Sequence, residues 1–450
     1  MLKQTLSILC LLPLLCRGGA DAPAFEARFQ GAPESEGWEL KAGPEQSTYA
    51  AKDGVLRVTC MQNPNQGGFI RIPVPVLRRG QFEFDARIAA ENGGNCLGVS
   101  LTVGLYNLDT WFHDYCHDWR RYFPEPPNRR ITGFNVEPVG HRRLAAVERG
   151  KWAHYVIRFD QDAGVVEYFR NDLSDPCAID FDVPVLGRAE YQGGEVRIGN
   201  MGLTKGAVVH ELRNLRLSAL PEQTAGGART EALLFQGMAS DRYNLAPILE
   251  QACGRKPKVY NLIAVGAATR PTNQFMADRL PGMASVDAAR LIVLADFPAG
   301  PDEVLPVAQQ RRLVQAVSDG ARLVVLGGFF AFGKGAYANA PLAAVLPIEL
   351  AGCWDAVALT PPLPLHAPGT APGAPPAPLV TWLHQAQPRP NAEVLLEAGN
   401  RPVAFRRQIG RGDVLAVTAI PAGAPTAGAE PFETSAFWKA WLATNMTRSP

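Results

Sequence analysis

The sequence predicts two domains of different class, an all-β sandwich of antiparallel strands followed by an α/β domain built on a parallel sheet. Three observations predict it. Residues 25–217 alternate apolar and polar side chains with period two between glycine-marked turns. From about residue 231, apolar runs of strand length alternate with segments of helical periodicity. Between the two, "LPEQTAGGARTEA" turns polar and glycine-bearing, which places a linker at residues 220–230. At 450 residues and 47% hydrophobic, the chain can bury two separate cores.

The elements are justified in chain order. Lys3, the apolar run "LSILCLLPLLC" and the small residues of "RGGADA" make the charged, apolar and cleavage regions of a secretory signal, residues 1–22, cleaved after Ala20 or Ala22. Its apolar run, about ten residues long, is too short for a bilayer span, which takes about 20. Leu15 precedes Cys16 where lipid modification wants a small residue, so no lipid anchor is expected. The reading is a secreted or periplasmic protein. Beyond the signal lie Cys60, Cys96, Cys116, Cys177, Cys253 and Cys353, an even number in an oxidising compartment. Disulfides and buried thiols are both open to them.

Residues 23–219 hold "GVLRVTC", "GQFEFDARIAA", "CLGVSLTVGLY", "WAHYVIRFD", "GVVEYFRND", "GEVRIGN" and "HELRNLRLSA", all strand-like and rich in Val, Ile, Phe and Tyr. Many short alternating strands with almost no helical period make a two-sheet sandwich. The Trp-led strand and turn of "GKWAHYVIRFDQDAGVVEYFRND" (residues 150–172), with the closing "VRIGNMG" and "HELRNLRLSA", resemble the concanavalin A-like, laminin G-like jelly rolls. That family includes sugar-binding lectins, polysaccharide hydrolases and adhesion modules, so the resemblance implies a fold and no activity.

In residues 231–450, strand "ALLFQG" precedes helical "RYNLAPILEQAC", strand "KVYNLIAVGA" precedes "TNQFMADRL", and strand "ARLIVLADF" precedes a helix over 306–319. In that helix Pro306 suits the first position, Val307, Leu313, Val314 and Val317 make an apolar face, and Gly320 ends it. Strand "ARLVVLGGF" follows. Later, "PVAFRRQIGRGDVLAVTAI" reads as two strands joined at residues 410–412, and "EPFETSAFWKAWLATNM" as a closing amphipathic helix. The proline-rich residues 361–378 read as a loop. The stretch from "ARLIVLADFPAG" to "AVLPIEL", with "GRGDVLAVT", resembles the class I glutamine amidotransferase-like, flavodoxin-like domains, a three-layer α/β fold.

That resemblance implies a Cys on the turn after "RLVVL" and a His on a later strand, because the thiolate attacks the amide carbonyl. The turn "GGFFAFGKG" has neither thiol nor hydroxyl, and "VLAVTAI" has no His, so no glutaminase is expected. His366 and His384 flank the proline-rich stretch. Gly327, Gly328, Gly333 and Gly335 offer backbone N–H groups for an anion nest, or only a sharp turn.

In the first domain, "YNLDTWFHDYCHDWRRYF" (residues 106–123) reads as an aromatic loop. Trp111, Tyr115 and Trp119 offer ring faces to sugars, and Asp114, Asp118 and Arg120 offer hydrogen bonds to hydroxyls, unless the rings form a satellite core. His113 and His117 have the i, i+4 spacing of two metal ligands on a helix but lack a third. Asp109, Asp114 and Asp118 could hold calcium, though at no standard loop spacing. Alternation in "FEFDAR" puts Glu83 and Asp85 on one face, as in laminarinase-type relatives of the sandwich, but the third acid of that pattern is missing. His154 reads as structural, beside Trp152. A net charge of +1 gives no broad pull toward nucleic acid or anionic membranes. The reading is an exported, non-catalytic protein that binds carbohydrate or a cell-surface partner through the sandwich. Its rival is a glycan hydrolase using Glu83 and Asp85.

Overall fold

This computed structural model describes residues 23–41, 48–60, 69–89, 97–103, 106–112, 116–122, 140–145, 148–161, 163–181, 194–200, 208–220, 228–265, 274–300, 304–368, 377–422 and 430–447. Residues 1–22, read above as a signal, lie outside them. The chain forms two compact units: Met1–Ala163 with Pro184–Gln223, and Gly164–Val183 with Thr224–Pro450. No helix of the described residues is long and apolar enough to cross a membrane.

The first unit holds β1 (Phe25–Glu26), β2 (Glu39–Lys41), β3 (Thr48–Lys52), β4 (Val55–Cys60), β5 (Phe69–Pro73), β6 (Arg79–Ile88) and β7 (Leu97–Val103). It continues with β8 (Tyr106–Phe112), β9 (Cys116–Tyr122), β10 (Gly140–Ala145) and β11 (Ala153–Asp160). The hairpin β12 (Val165–Arg170) and β13 (Ala178–Phe181) counts with the second unit, and β14 (Glu195–Asn200) and β15 (Val208–Ala219) close the first. One antiparallel sheet runs β11-β6-β15-β4-β3, with β1 on β15; the other runs β10-β9-β8-β7-β14-β5-β2. Alternation explains the sandwich. Leu56, Val58, Phe82, Phe84, Leu212 and Leu217 from one sheet, and Ile70, Ile72, Val99, Leu101, Val196 and Ile198 from the other, are all buried.

Residues 106–123, read above as a loop, contain two strands of the second sheet. β8 and β9 pair in register, Trp111 opposite Asp118 and Thr110 opposite Trp119. His117 therefore lies on a strand, and the helical metal-ligand spacing does not apply. His113, Asp114 and Tyr115 fall outside the described residues.

The second unit adds β16 (Glu231–Gln236), β17 (Lys258–Val265), β18 (Gln274–Ala277), β19 (Ala289–Ala295), β20 (Arg322–Leu326), β21 (Ile348–Leu350) and β22 (Ala356–His366). Then come β23 (Leu379–His384), β24 (Ala386–Pro388), β25 (Glu393–Ala398), β26 (Arg401–Ile409), β27 (Gly412–Val417) and β28 (Ala419–Ile420). Its helices are α1 (Leu245–Cys253), α2 (Met283–Asp287), α3 (Val307–Ser318) and α4 (Ala436–Thr447). Five strands, in the order β17-β16-β19-β20-β27, are parallel, and β26, β25, β22, β23 and β28 extend the sheet antiparallel. Both faces of the parallel part are apolar. Leu233, Ile292, Leu323 and Val414 pack with Val286 of α2 and Leu313 of α3, while Leu234, Val293, Val324 and Leu415 pack with Leu249 of α1 and Trp438 of α4. Such continuous apolar strands are what two covered faces require.

Three expectations change here. Gln274–Ala277 of "TNQFMADRL" form β18, antiparallel to β17, and just beyond it Asp278 accepts the N–H of Asn261. Strand β22 runs into the proline-rich stretch as far as His366, and its pairing with β23 lapses between Ala358 and Leu363, where Pro361 and Pro362 have no N–H to give. Pro306 is the residue before α3 rather than its first, with extended backbone (ψ 143°). Cys177, Cys253 and Cys353 are free thiols.

The β12–β13 hairpin is tied into the second unit by buried acids. Glu167 accepts the N–H of Met283 (2.7 Å) at the start of α2. Asp175 accepts from Ser285 Oγ (2.7 Å) and from Tyr260 OH (3.1 Å), with Lys258 Nζ at 3.7 Å. Burial and the Asp175 charge push the Tyr260 phenol well above its ordinary range.

Candidate functional site

The site grows from one strand. In β6 the side chains of Phe82, Phe84, Ala86 and Ile88 go to the core, so Gln81, Glu83, Asp85 and Arg87 share the opposite face. Strand β11 places His154 beside Asp85, and β15 places Glu211 beside Arg87. Regular alternation would then send Arg213 and Arg216 to opposite faces. A bulge prevents it. Between Arg213 and Arg216 strand β15 carries one residue more than β6, with Asn214 in the left-handed region (φ 54°), so Arg213 faces Asp85 and Arg216 faces Glu83.

The polar network is dense. His154 sits between the acids, Nδ1 2.8 Å from Asp85 Oδ1 and Nε2 3.4 Å from Glu83 Oε2. Asp85 also accepts from Arg213 Nε (3.1 Å) and Asn214 Nδ2 (2.8 Å), and Arg216 Nε donates to Glu83. Glu211 accepts from Arg87 Nε (2.5 Å) and Arg57 Nη1 (3.3 Å). The guanidiniums of Arg213 and Arg87 lie 4.1 and 4.6 Å from the centre of the Trp152 ring. The carboxylate side chains are only 5–14% exposed, whereas the four arginines are 34–49% exposed. Acids thus lie beneath a layer of held guanidiniums.

Charge follows from this packing. Burial pushes the Asp85 carboxyl up, but hydrogen bonds from His154, Asn214 and Arg213 outweigh it and hold Asp85 below the usual carboxylate range. An acid so held stays ionised and cannot protonate a leaving group at neutral pH. Glu83 and Asp85 are brought together as the sequence reading had it. The reading took His154 as structural and missed Arg213, Asn214 and Arg216. The one visible signal was the break in "ELRNLRL", where Asn interrupts a Leu–Arg alternation.

In the second unit the glycine turn after β20 is filled from within. Gly327 N–H donates to Val417 O (2.8 Å), Gly333 N–H to Asp355 Oδ2 (3.1 Å) and Gly335 N–H to Ala331 O (3.2 Å). Gly328 lies against His384, whose Nε2 is 2.9 Å from its carbonyl oxygen and 3.4 Å from its nitrogen. The four glycines read as an anion nest therefore face protein groups. His384 corrects the sequence reading. No His stands on β27 or β28, but β23 pairs with β28 and carries His384 to the turn, buried, with Nδ1 2.8 Å from Asp355. A nucleophile is still missing there, since the turn presents Phe329 and Phe330. Cys353 is exposed and Cys253 half-buried. Among the described residues no group of three or more His, Cys, Asp or Glu is placed to hold a metal ion.

No protein-family model matches the chain, and no curated protein matches it. Among solved structures it is similar to a cytoplasmic protein from Salmonella typhimurium LT2, at 15% identity and TM-score 0.33, covering 48% of this chain and 98% of that one. It is similar to a legume lectin-like domain from Entamoeba histolytica, at 10% identity and TM-score 0.34, covering 45% of this chain and 100% of that one. It is also similar to a glycosyl hydrolase family 16 protein from Mycobacterium smegmatis, at 11% identity and TM-score 0.32, covering 44% of this chain and 100% of that one. The fold described above rests on strand pairing, not on these likenesses.

Proposed function

We propose that the protein is an exported, non-catalytic carbohydrate-binding protein. Its β-sandwich, of concanavalin A-like type, holds the ligand, and its second unit, a degenerate class I amidotransferase-like domain, serves as scaffold or interaction module. One observation carries the reading: the solvent face of β4, β15, β6 and β11, where half-exposed guanidiniums are fixed over sunken carboxylates beside Trp152. Fixed donors and acceptors of this kind match vicinal sugar hydroxyls, and an indole face matches the apolar side of a pyranose ring. The hydrolase reading is less well supported, because a glycosidase needs one carboxyl free to give a proton and a second free to meet the sugar or a water, whereas Asp85 is held by Arg213 and Asn214 and Glu83 by Arg216. Trp111, Tyr115, Asp114, Asp118, Trp119 and Arg120 are proposed as a second contact, with calcium as the metal to try there.

A glycan array probed with the intact protein tests this. Binding should appear, and Arg213→Ala with Arg216→Ala should abolish it while the far-ultraviolet circular dichroism is kept. Release of reducing ends from the bound glycan, lost in Glu83→Gln, would replace this reading with the hydrolase.

A further inference from the structure

The parallel strands of the second unit lie in the order β17-β16-β19-β20-β27, so the winding of the sheet reverses between β16 and β19. In open α/β sheets, ligands bind in the crevice outside the carboxyl ends of the strands at such a reversal. Here β16 ends at Gln236 and β19 at Ala295, and the next residues are Gly237 and Asp296. Asp296 is fully buried and adopts the left-handed conformation, φ 51°. Its Oδ2 accepts the Ala239 N–H (2.7 Å) from the loop after β16, and its Oδ1 accepts the Phe330 N–H (2.5 Å) from the turn after β20.

Both loops are shaped around this residue. A Cβ on Gly328 would stand 2.3 Å from Asp296 Cβ and Cγ, and a Cβ on Gly237 would stand 1.6 Å from the Asp296 carbonyl oxygen. Only glycine allows either approach. Two backbone N–H groups converging from separate loops are what an anion site of this fold class offers a ligand. We propose that this crevice is a carboxylate-binding site and that Asp296 is its built-in ligand, a tethered anion that closes the site to free ones. Burial raises the Asp296 carboxyl above its ordinary range, and the two N–H groups pull against that rise. The inference does not depend on what the sandwich binds.

Asp296→Gly tests it, since glycine keeps the left-handed backbone and empties the site. The variant should melt below the wild type and regain stability saturably with sodium formate, by about 3–6 °C at ten times its dissociation constant. Sodium chloride at equal ionic strength should not do this, and wild-type protein should not respond to formate or inorganic phosphate. No response of the variant beyond that to chloride, or stabilisation of the wild type by formate, would overturn the proposal. If Asp296→Gly fails to fold with or without formate, Asp296→Asn decides. Its NH2 must then face a backbone N–H, so the proposal requires a lowered melting temperature, and a wild-type value would refute it.

Discussion

His210 should make the sandwich acid-labile. It stands on β15 at a core-facing position, opposite Val58 and Ile88, and is buried. Its Nε2 meets no hydrogen-bond partner among the described residues. Burial, with the nearby Arg149 charge adding to it, lowers its pKa from 6.5 to about 3. The unfolded chain therefore takes up this proton near pH 6.5 and the folded chain only near pH 3, so stability falls as pH drops through that window. At pH 4.5 the loss relative to pH 8 is about 2.7 kcal/mol, two pH units below the unfolded value at about 1.36 kcal/mol each. Below pH 3 it reaches about 5 kcal/mol. The assay is amide hydrogen exchange of peptides covering β6 and β15, at pH 8 and pH 4.5 after correction for intrinsic rates, in wild type and His210→Leu. Wild type should lose about 2.7 kcal/mol more opening free energy than the variant. Equal losses would refute the reasoning, because His210 would then be protonated in the folded state or accessible to water.

Three further outcomes are expected. Asp175→Ala leaves Ser285 Oγ and Tyr260 OH without their buried acceptor, at about 1–3 kcal/mol each, read as earlier denaturant unfolding of the second unit; a fragment 228–450, lacking the hairpin, should be destabilised at least as much. Arg322→Met breaks a buried two-pronged pair with Asp413 (2.6 and 2.9 Å) and a bond to Asn445 O (2.7 Å), and should cost about 3–5 kcal/mol by urea melt, with Arg322→Met, Asp413→Leu together costing less. Incubation with glutamine should release no ammonia above buffer, and release that Cys353→Ala removes would sink the non-catalytic reading of the second unit.

Much of the architecture was legible because burial on one or two faces writes itself into short-range periodicity. "GQFEFDARIAA" and "HELRNLRLSA" became β6 and β15, and four continuous apolar runs became β16, β17, β19 and β20. What stayed hidden depends on pairings between distant segments. His384 reaches the glycine turn only because β23 pairs with β28, and no local pattern encodes that register. Nothing local in "DLSDPC" marks Asp175, whose partners Tyr260 and Ser285 lie about a hundred residues further along the chain. Asp296 left a faint mark, an acid directly after the apolar "RLIVLA", but its partners come from loops beyond two other strands. Residues 274–277 lacked enough length for either period to declare itself, and the strand β17 decided them.

The bulge in β15 has a consequence for how this surface can change over generations. Without Asn214 the strand would read Leu212, Arg213, Leu215, Arg216, Leu217, an unbroken in–out alternation that keeps Arg213 opposite Asp85 and Arg216 opposite Glu83. Asn214 is thus the surplus residue, and it contributes the Nδ2 donor to Asp85. A loss of one codon would restore an ideal ladder, spare the core and remove one of the bonds that keep Asp85 charged. Few positions in a sheet tolerate a length change, since a slip of one residue normally turns every later side chain to the wrong side. Here the slip is already absorbed, so deletion of this one residue joins substitution among the small steps by which a lineage could retune this face.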